Sequence, residues 1–225
     1  MGSPELIKIN REEKIELLNN IREKVNQIVD ALGKPIDEGI KETVVFLTAL
    51  GIPTEGSCEG HIDHGYNGPW VDISYPNMPE ERFIGERETY EEIAKKYNVS
   101  IEEIKKAFYD KSSPYHQEII KIHIEISKRG ETDEFKKWRE ENKKLYERVK
   151  ELLEEFYKDR EVEDNVRLII EEYATFYRIK NAGSKSISKE MNEEERKIRE
   201  ERLNKYQKEM REFTEFLKRK FFELT

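Results

Sequence analysis

Apolar residues recur every three or four positions near the N-terminus, which is the spacing of a helix that buries one face. The apolar positions are Leu18, Ile21, Val25, Ile28 and Leu32. Asn10 followed by Glu13 is typical of an N-cap with its capping-box partner, and Gly33 is the predicted end of the helix.

A second helix is predicted from the capping residue Asp37 to Gly51. Its apolar positions are Ile40, Val44, Phe46, Leu47 and Leu50. Residues 52–54 are short and extended, a glycine-rich loop follows, and residues 70–75 alternate as in a strand. The pattern therefore places the loop at one end of a hairpin-like unit.

The middle of the chain is predicted to be helical. Residues 89–110 are typical of two short helices, with Ser100 capping the second. Between residues 114 and 128 alternating isoleucines suggest a strand, but the residues typical of helix starts and helix ends at the two ends of this segment favour a helix. A long, charged helix with a narrow apolar stripe follows over residues 133–158.

Two later segments, residues 166–170 and 175–179, are rich in β-forming residues and are predicted to pair beside the first two strands. A last helix, from about Lys189, carries its apolar residues on one face. The predicted fold is α+β, with a small antiparallel sheet covered by helices and two long charged amphipathic helices.

The 225 residues suit one domain with a helical extension. We place the α+β domain at residues 7–182, with a helical insertion at 89–130. The C-terminal helix, residues 187–225, is expected to pack on residues 133–158.

Charged residues make up 40% of the chain and hydrophobic residues 36%. Long helices that bury one stripe explain this composition better than disorder does, because the apolar spacing is regular. The formal charge of −8 disfavours nucleic acid and anionic membranes as partners. A single cysteine and the lack of a membrane-length apolar run indicate a cytoplasmic protein.

Reactive side chains are concentrated in residues 56–65, with the sequence Gly-Ser-Cys-Glu-Gly-His-Ile-Asp-His-Gly. Cys58, His61 and His64 form a ligand set that suits zinc. Asp63, His116 or His123 would supply a fourth ligand. The alternative is a glycine-rich turn with a buried thiol and solvated histidines. Because only one cluster of possible ligands is visible, the sequence leaves both the zinc site and the structural turn open.

The segment Gly56-x-Cys58-x-Gly60 has the spacing of a nucleophile elbow. It resembles the elbow of class I glutamine amidotransferases, and His123-Ile124-Glu125 is similar to their His-x-Glu pair. The resemblance implies a thiol nucleophile at Cys58. An elbow must enter a helix, however, and the glycines and proline of residues 65–69 disfavour one.

Successive amides of residues 55–60 predict a concave nest for a phosphate or carboxylate. Thr54-x-x-Ser57-Cys58-x-Gly60 resembles the Ser-Cys-Ser-Gly loop of the wybutosine-synthesis tRNA methyltransferase family, which implies S-adenosylmethionine and a tRNA base. The segment is also similar to Cys-x-Gly-His loops of small uncharacterised bacterial and phage proteins. The acidic charge of the chain disfavours tRNA.

The leading expectation is a protein that binds a small anionic, nucleotide- or phosphate-like ligand, with zinc, at residues 56–64. The expected ligand-binding residues are Thr54, Ser57, Glu59, Gly60 and Trp70. Cys58 and His61 are candidates for catalysis, with Asp72 orienting His61 or His64. Whether the site is enzymatic stays open.

Two alternatives belong to other functional classes. Long charged helices with a narrow apolar stripe can pair between chains as in a coiled coil, which predicts a non-enzymatic, self-associating protein. Residues 90–107 resemble the helix-turn-helix of bacterial regulators. Glu102 and Glu103 would occupy the base-reading end of its second helix, where they would repel DNA phosphates.

Overall fold

The computed structural model describes residues 10–30, 32–187 and 191–223. Within these ranges it contains seven helices and one four-stranded antiparallel sheet, which confirms the predicted α+β class. The helices are α1 (Arg11–Asn26), α2 (Glu38–Ala49), α3 (Glu86–Tyr97), α4 (Ile101–Ala107), α5 (His116–Ser127), α6 (Asp133–Phe156) and α7 (Glu193–Glu223). The strands are β1 (Thr54–Cys58), β2 (Trp70–Ile73), β3 (Leu168–Glu172) and β4 (Tyr177–Asn181).

The strand order is β1-β2-β4-β3, so the two predicted strand pairs join through β2 and β4. Opposite residues share a face of an antiparallel sheet. One face carries the buried Val71, Ile73 and Ile179. The other face, called here the polar face, includes one row formed by Gly56, Asp72, Arg178 and Glu171.

Helix α7 packs along α2 in the main core. Their contacts include the Phe46 and Phe221 rings, with centroids 6.4 Å apart, and buried Thr43 and Thr214 hydroxyls 2.7 Å apart. Helix α7 also contacts the end of α6, where the ring centroids of Phe156 and Phe213 lie 5.3 Å apart. The apolar stripe of α7 is buried inside the chain, at Tyr206, Met210, Phe213, Leu217 and Phe221.

The chain divides into two compact units, Met1–Ser74 with Lys144–Thr225, and Tyr75–Lys143. The first unit holds the sheet, α2 and α7. The second unit contains the segment predicted as a helical insertion, and its own apolar core includes Tyr90, Ile93, Ile104, Ile119 and Ile126. No helix in the described ranges has both the length and the apolar character needed to cross a membrane.

Helices α3 and α4 form where they were predicted, and so does α5. Ser100 caps α4, since its hydroxyl accepts a hydrogen bond from Glu103 N while the Glu103 carboxylate accepts one from Ser100 N. Glu102 and Glu103 both lie in the first turn of α4.

The predicted end of the first helix was wrong. Helix α1 begins at the predicted capping box but ends at Asn26 rather than at Gly33. The Asp30 carboxylate accepts hydrogen bonds from the amides of Leu32 and Lys34, at 2.8 and 2.9 Å. Such local bonds favour a turn over a helix, and Leu32 is consequently 80% exposed.

Two other predicted boundaries differ from the structure. Strand β1 includes Gly56, Ser57 and Cys58, which the sequence placed in a loop. Helix α7 begins at Glu193, and the predicted start at Lys189 lies outside the described residues.

Candidate metal centre

Cys58 is the last residue of β1 and lies opposite Trp70 of β2. The strand ends in a tight turn because Gly60 adopts a φ of 84°. A Cβ at Gly60 would lie 2.6 Å from the carbonyl carbon of Gly68, so only glycine allows this approach. The His61 amide donates to the Tyr66 carbonyl at 2.9 Å, which closes the turn.

This turn brings Cys58 and His61 beside Asp37, the residue that precedes α2. The thiol sulfur, an imidazole nitrogen and a carboxylate oxygen of the three residues all lie within 4.8 Å of one another. His61 Nε2 and Asp37 Oδ2 are 3.9 Å apart. All three residues are half-buried, so the group is partly shielded from solvent but remains accessible to an ion.

The separations are close to those of a zinc site. Zinc bonds of about 2.0–2.3 Å at tetrahedral angles place ligand atoms about 3.3–3.8 Å apart. The Asp37, Cys58 and His61 donor atoms, all within 4.8 Å of one another, lie at most about 1 Å beyond the upper end of that spacing. Thiolate and imidazole nitrogen are also ligands that zinc favours.

Burial raises the pKa of the Cys58 thiol to about 11, and the neighbouring Asp37 and Glu59 carboxylates act in the same direction. The Gly60 amide, which donates to Cys58 Sγ at 3.3 Å, opposes burial and lowers the pKa of the thiol, but does not outweigh it. The metal-free thiol is therefore protonated at neutral pH. A bound metal ion reverses this preference, because only the thiolate is a good ligand.

The predicted nucleophile at Cys58 is not supported by this environment. Nucleophilic cysteines have a depressed pKa, commonly at a helix N-terminus. Here β1 leads into a turn rather than a helix, and the pKa of Cys58 is raised.

Glu59, rather than Asp37, caps the start of α2. The Asp37 carboxylate, expected to cap its own helix, instead accepts from the Glu59 amide at 3.1 Å. The Glu59 carboxylate accepts from the Gly39 amide at 2.9 Å. Glu59 therefore caps α2 rather than binding a ligand, and Asp37 is free to face Cys58 and His61.

The predicted nest of free amides is wrong. The amides of Glu59, Gly60 and His61 donate to Asp37, to Cys58 Sγ and to Tyr66, respectively. Ser57 lies opposite Val71 on the core side of the sheet, and Thr54 lies at the far end of β1, opposite Ile73. Neither hydroxyl belongs to the Asp37, Cys58 and His61 group.

His64 does not belong to the donor group, so the predicted triad of Cys58, His61 and His64 is corrected to one with Asp37. The His64 ring stacks on the His61 ring, with centroids 4.0 Å apart. His64 Nδ1 lies 2.6 Å from the exposed Asp63 carboxylate. In the second unit, the proposed alternative ligands His116 and His123 bond to the Ala107 carbonyl and the Tyr90 hydroxyl.

Asp72 does not orient either histidine of the turn. Its two carboxylate oxygens accept from Arg178 Nε and Nη2, at 2.6 and 2.7 Å. Burial raises the pKa of Asp72 against the opposing effect of the guanidinium. The predicted catalytic role of Asp72 is therefore wrong, because its carboxylate belongs to this buried ion pair.

Aromatic rings surround the Arg178 guanidinium on the polar face. Trp70 is the nearest, with its ring centroid 4.0 Å from the guanidinium carbon. Tyr66, Tyr173 and Phe176 follow at 5.0, 5.3 and 5.6 Å. Arg178 thus fixes Trp70, which is half-buried beside Cys58 as expected for a wall of the site.

Helix α7 holds the turn in place. Gln207 Nε2 donates to the Glu59 carbonyl at 3.0 Å, and Arg199 donates to the Ile62 carbonyl at 3.2 Å. The Tyr206 side chain fills the space beside Gly68 and Gly183. An added Cβ at Gly68 would lie 2.7 Å from its ring, and one at Gly183 would lie 2.3 Å from its hydroxyl oxygen. The position of His61 therefore depends on a helix distant in sequence.

Only part of the Asp37, Cys58 and His61 group was predicted from the sequence. Cys58 and His61 were predicted from their spacing, whereas Asp37 was identified only as a cap. The chain matches no known protein family, and no curated protein or solved structure shows significant similarity to it.

Proposed function

We propose that this protein binds a zinc ion through Asp37, Cys58 and His61, and that the bound ion receives a small anionic ligand. The observation that carries the proposal is the convergence of a thiol, an imidazole and a carboxylate within 4.8 Å. These donors come from the start of α2, the end of β1 and the following turn. Cys58 and His61 are close in sequence, whereas Asp37 joins them through the packing of α2 against β1.

Zinc fits the donor set better than other common ions. Calcium and magnesium favour oxygen ligands, and Asp37 alone provides a carboxylate here. Sulfur and nitrogen ligands in a set of three are typical of zinc sites that keep one position open. An open position suits an anion, and bound zinc would supply the positive charge and Lewis acidity.

Protein groups around the donors would orient them. The Glu59 amide donates to Asp37, and the Gly60 amide donates to the Cys58 sulfur. Such bonds to ligand atoms fix geometry in metal sites. The Gln207 contact with the Glu59 carbonyl ties this arrangement to α7.

The test is zinc titration of chelator-stripped protein, followed by calorimetry and elemental analysis. We expect one zinc per chain, and Asp37→Ala, Cys58→Ser and His61→Ala should each weaken binding at least about tenfold. His64→Ala is the matched control, since it removes a neighbouring imidazole outside the group and should leave affinity within about twofold. Absence of zinc binding, or loss of binding in His64→Ala alone, would contradict the proposal.

A further inference from the structure

Aromatic side chains border the candidate metal centre on one side. Trp70 lies directly opposite Cys58 in the β1–β2 register, and residues paired in this way have neighbouring side chains on one face. The backbone carbonyl of Tyr66 accepts a hydrogen bond from the His61 amide. The Tyr66 and Trp70 rings meet edge to face, with centroids 6.4 Å apart. We call these two half-buried residues the aromatic wall.

The Trp70 ring of the aromatic wall packs against a buried ion pair. The Arg178 guanidinium lies 4.0 Å from the Trp70 ring centroid, and its Nε and Nη2 are bound to Asp72. A Cβ at Gly56 would lie 3.4 Å from the Trp70 ring, so the small residue leaves the ring room to lie there. Because Asp72 neutralises Arg178, the pair orders the ring without adding net charge to the site.

The surroundings of the donors are acidic in the absence of a metal ion. Asp37 and Glu59 flank the Cys58 thiol, and Asp63 is paired with His64 on the same turn. Carboxylates repel an anion, so the ligand must depend on the metal for its attraction. The aromatic wall would then contact the part of the ligand beyond its anionic group.

We propose that the metal-loaded site binds a nucleoside monophosphate, with the phosphate at the open metal position and the base against Trp70. This inference rests on the proposed zinc function. Phosphate alone would make no use of the aromatic wall, whereas a base gains affinity by packing on an aromatic ring. The chain's net charge of −8 opposes longer polyanions such as RNA.

The experiment uses full-length protein loaded with one equivalent of zinc and free of excess metal. Calorimetry would compare adenosine monophosphate, ribose 5-phosphate and inorganic phosphate. We expect adenosine monophosphate to bind about tenfold more tightly than ribose 5-phosphate, a factor within the range of one base–aromatic contact. Neither compound should bind measurably to the chelator-stripped protein.

Variants of the aromatic wall test whether Trp70 causes the preference for adenosine monophosphate over ribose 5-phosphate. In zinc-loaded protein, Trp70→Leu should reduce the ratio of the two affinities to under about threefold, while Trp70→Phe, which keeps a ring, should retain most of the ratio. Tyr109→Ala, which removes an aromatic residue 80% exposed in the second unit, is the control and should change nothing.

The outcomes separate this inference from the zinc proposal. Normal zinc binding with equal affinity for adenosine monophosphate and ribose 5-phosphate would overturn the nucleotide inference alone. Nucleotide binding without zinc, or an unchanged ratio in Trp70→Leu, would overturn it as well. Failure to bind zinc would remove both proposals. Preferential binding of an RNA oligonucleotide over the mononucleotide would assign the wall to a polymer instead.

Discussion

The carboxylate of Asp72 receives two hydrogen bonds from the guanidinium of Arg178, across neighbouring strands β2 and β4. Arg22 and Glu42 form the same two-bond pair, at 2.9 and 2.8 Å. The side chains of the first pair are 11% and 12% exposed, and those of the second are 37% and 48% exposed. The chain therefore contains a matched comparison of a buried and a surface ion pair.

Removal of the buried cation should be far more costly than removal of the exposed one. We expect Arg178→Met to lower the free energy of unfolding by about 3–5 kcal/mol, because Asp72 is left buried without a partner. Arg22→Met should cost under about 1 kcal/mol. Urea denaturation of both variants measures the difference, and equal losses would contradict it.

The stability of Arg178→Met should also depend on pH. Burial holds the pKa of Asp72 above its usual value, and this effect is unopposed once the guanidinium is gone. A raised folded-state pKa stabilises the fold at low pH, and that stability is lost as the pH rises through it. The deficit relative to wild type should therefore be larger near about pH 7 than near about pH 4.

Gly60 and Gly65 offer a second matched pair, because both have positive φ angles, of 84° and 63°. Nothing lies within 4 Å of a Cβ at Gly65, whereas one at Gly60 would lie 2.6 Å from Gly68. Gly65→Ala should cost about 1–2 kcal/mol from backbone strain alone. Gly60→Ala should cost clearly more and should abolish zinc binding. Thermal unfolding and zinc calorimetry check both, and similar costs would argue against the tight turn.

The reactivity of Cys58 reports its surroundings. In metal-free protein the alkylation rate should rise with a midpoint near pH 11, because burial and Asp37 raise the pKa of the thiol. Asp37→Asn should lower that midpoint, and the Asp63→Asn control should not. Zinc should block alkylation in the wild type. A midpoint near the ordinary value of 9.0 would show that the thiol is solvated.

The same shift links fold stability to alkaline pH. Because the pKa of Cys58 is higher in the folded state, stability is complete below the unfolded value of 9.0 and is lost as the pH rises through about 11. Metal-free wild type should therefore unfold more readily in this window than Cys58→Ser, as measured by urea midpoints. A parallel dependence in both proteins would exclude Cys58 as the cause.

Glu59 should stabilise the start of α2. Glu59→Ala removes the acceptor for the Gly39 amide and should cost about 1 kcal/mol, as loss of a helix cap does. Glu55→Ala, at an exposed position of the preceding strand β1, should cost under about 0.5 kcal/mol. Denaturant unfolding distinguishes the two, and an unaltered midpoint for Glu59→Ala would mean that water replaces the carboxylate.

Local patterns were predictable where their partners are neighbours in sequence. The Asn10 and Glu13 capping box forms as predicted, because both of its hydrogen bonds span three residues. The same kind of pattern failed at Gly33, where the Asp30 side chain stabilises a turn that competes with the helix. The spacing of apolar residues gives no information about such a hydrogen bond from a side chain to the backbone.

Residues that meet across the fold were only partly predictable. Alternation along β2 placed Trp70 and Asp72 on one side of the strand, and the sheet register confirms this. The partner of Asp72 depends on β4 lying beside β2, an order that alternation does not specify. Asp37 was missed as a member of the donor group for a similar reason, since its approach to Cys58 follows from the packing of α2 against β1.

Tyr206 occupies the space left by Gly68 and Gly183, and these three residues come from widely separated parts of the chain. Contacts so distant in sequence form only after long loops have closed, which slows their assembly. A nascent chain on the ribosome, still lacking α7, would carry Cys58 and His61 on an unsupported turn. If the proposed centre binds zinc, the ion is thus expected to bind after α7 has been synthesised and packed against the turn, rather than before.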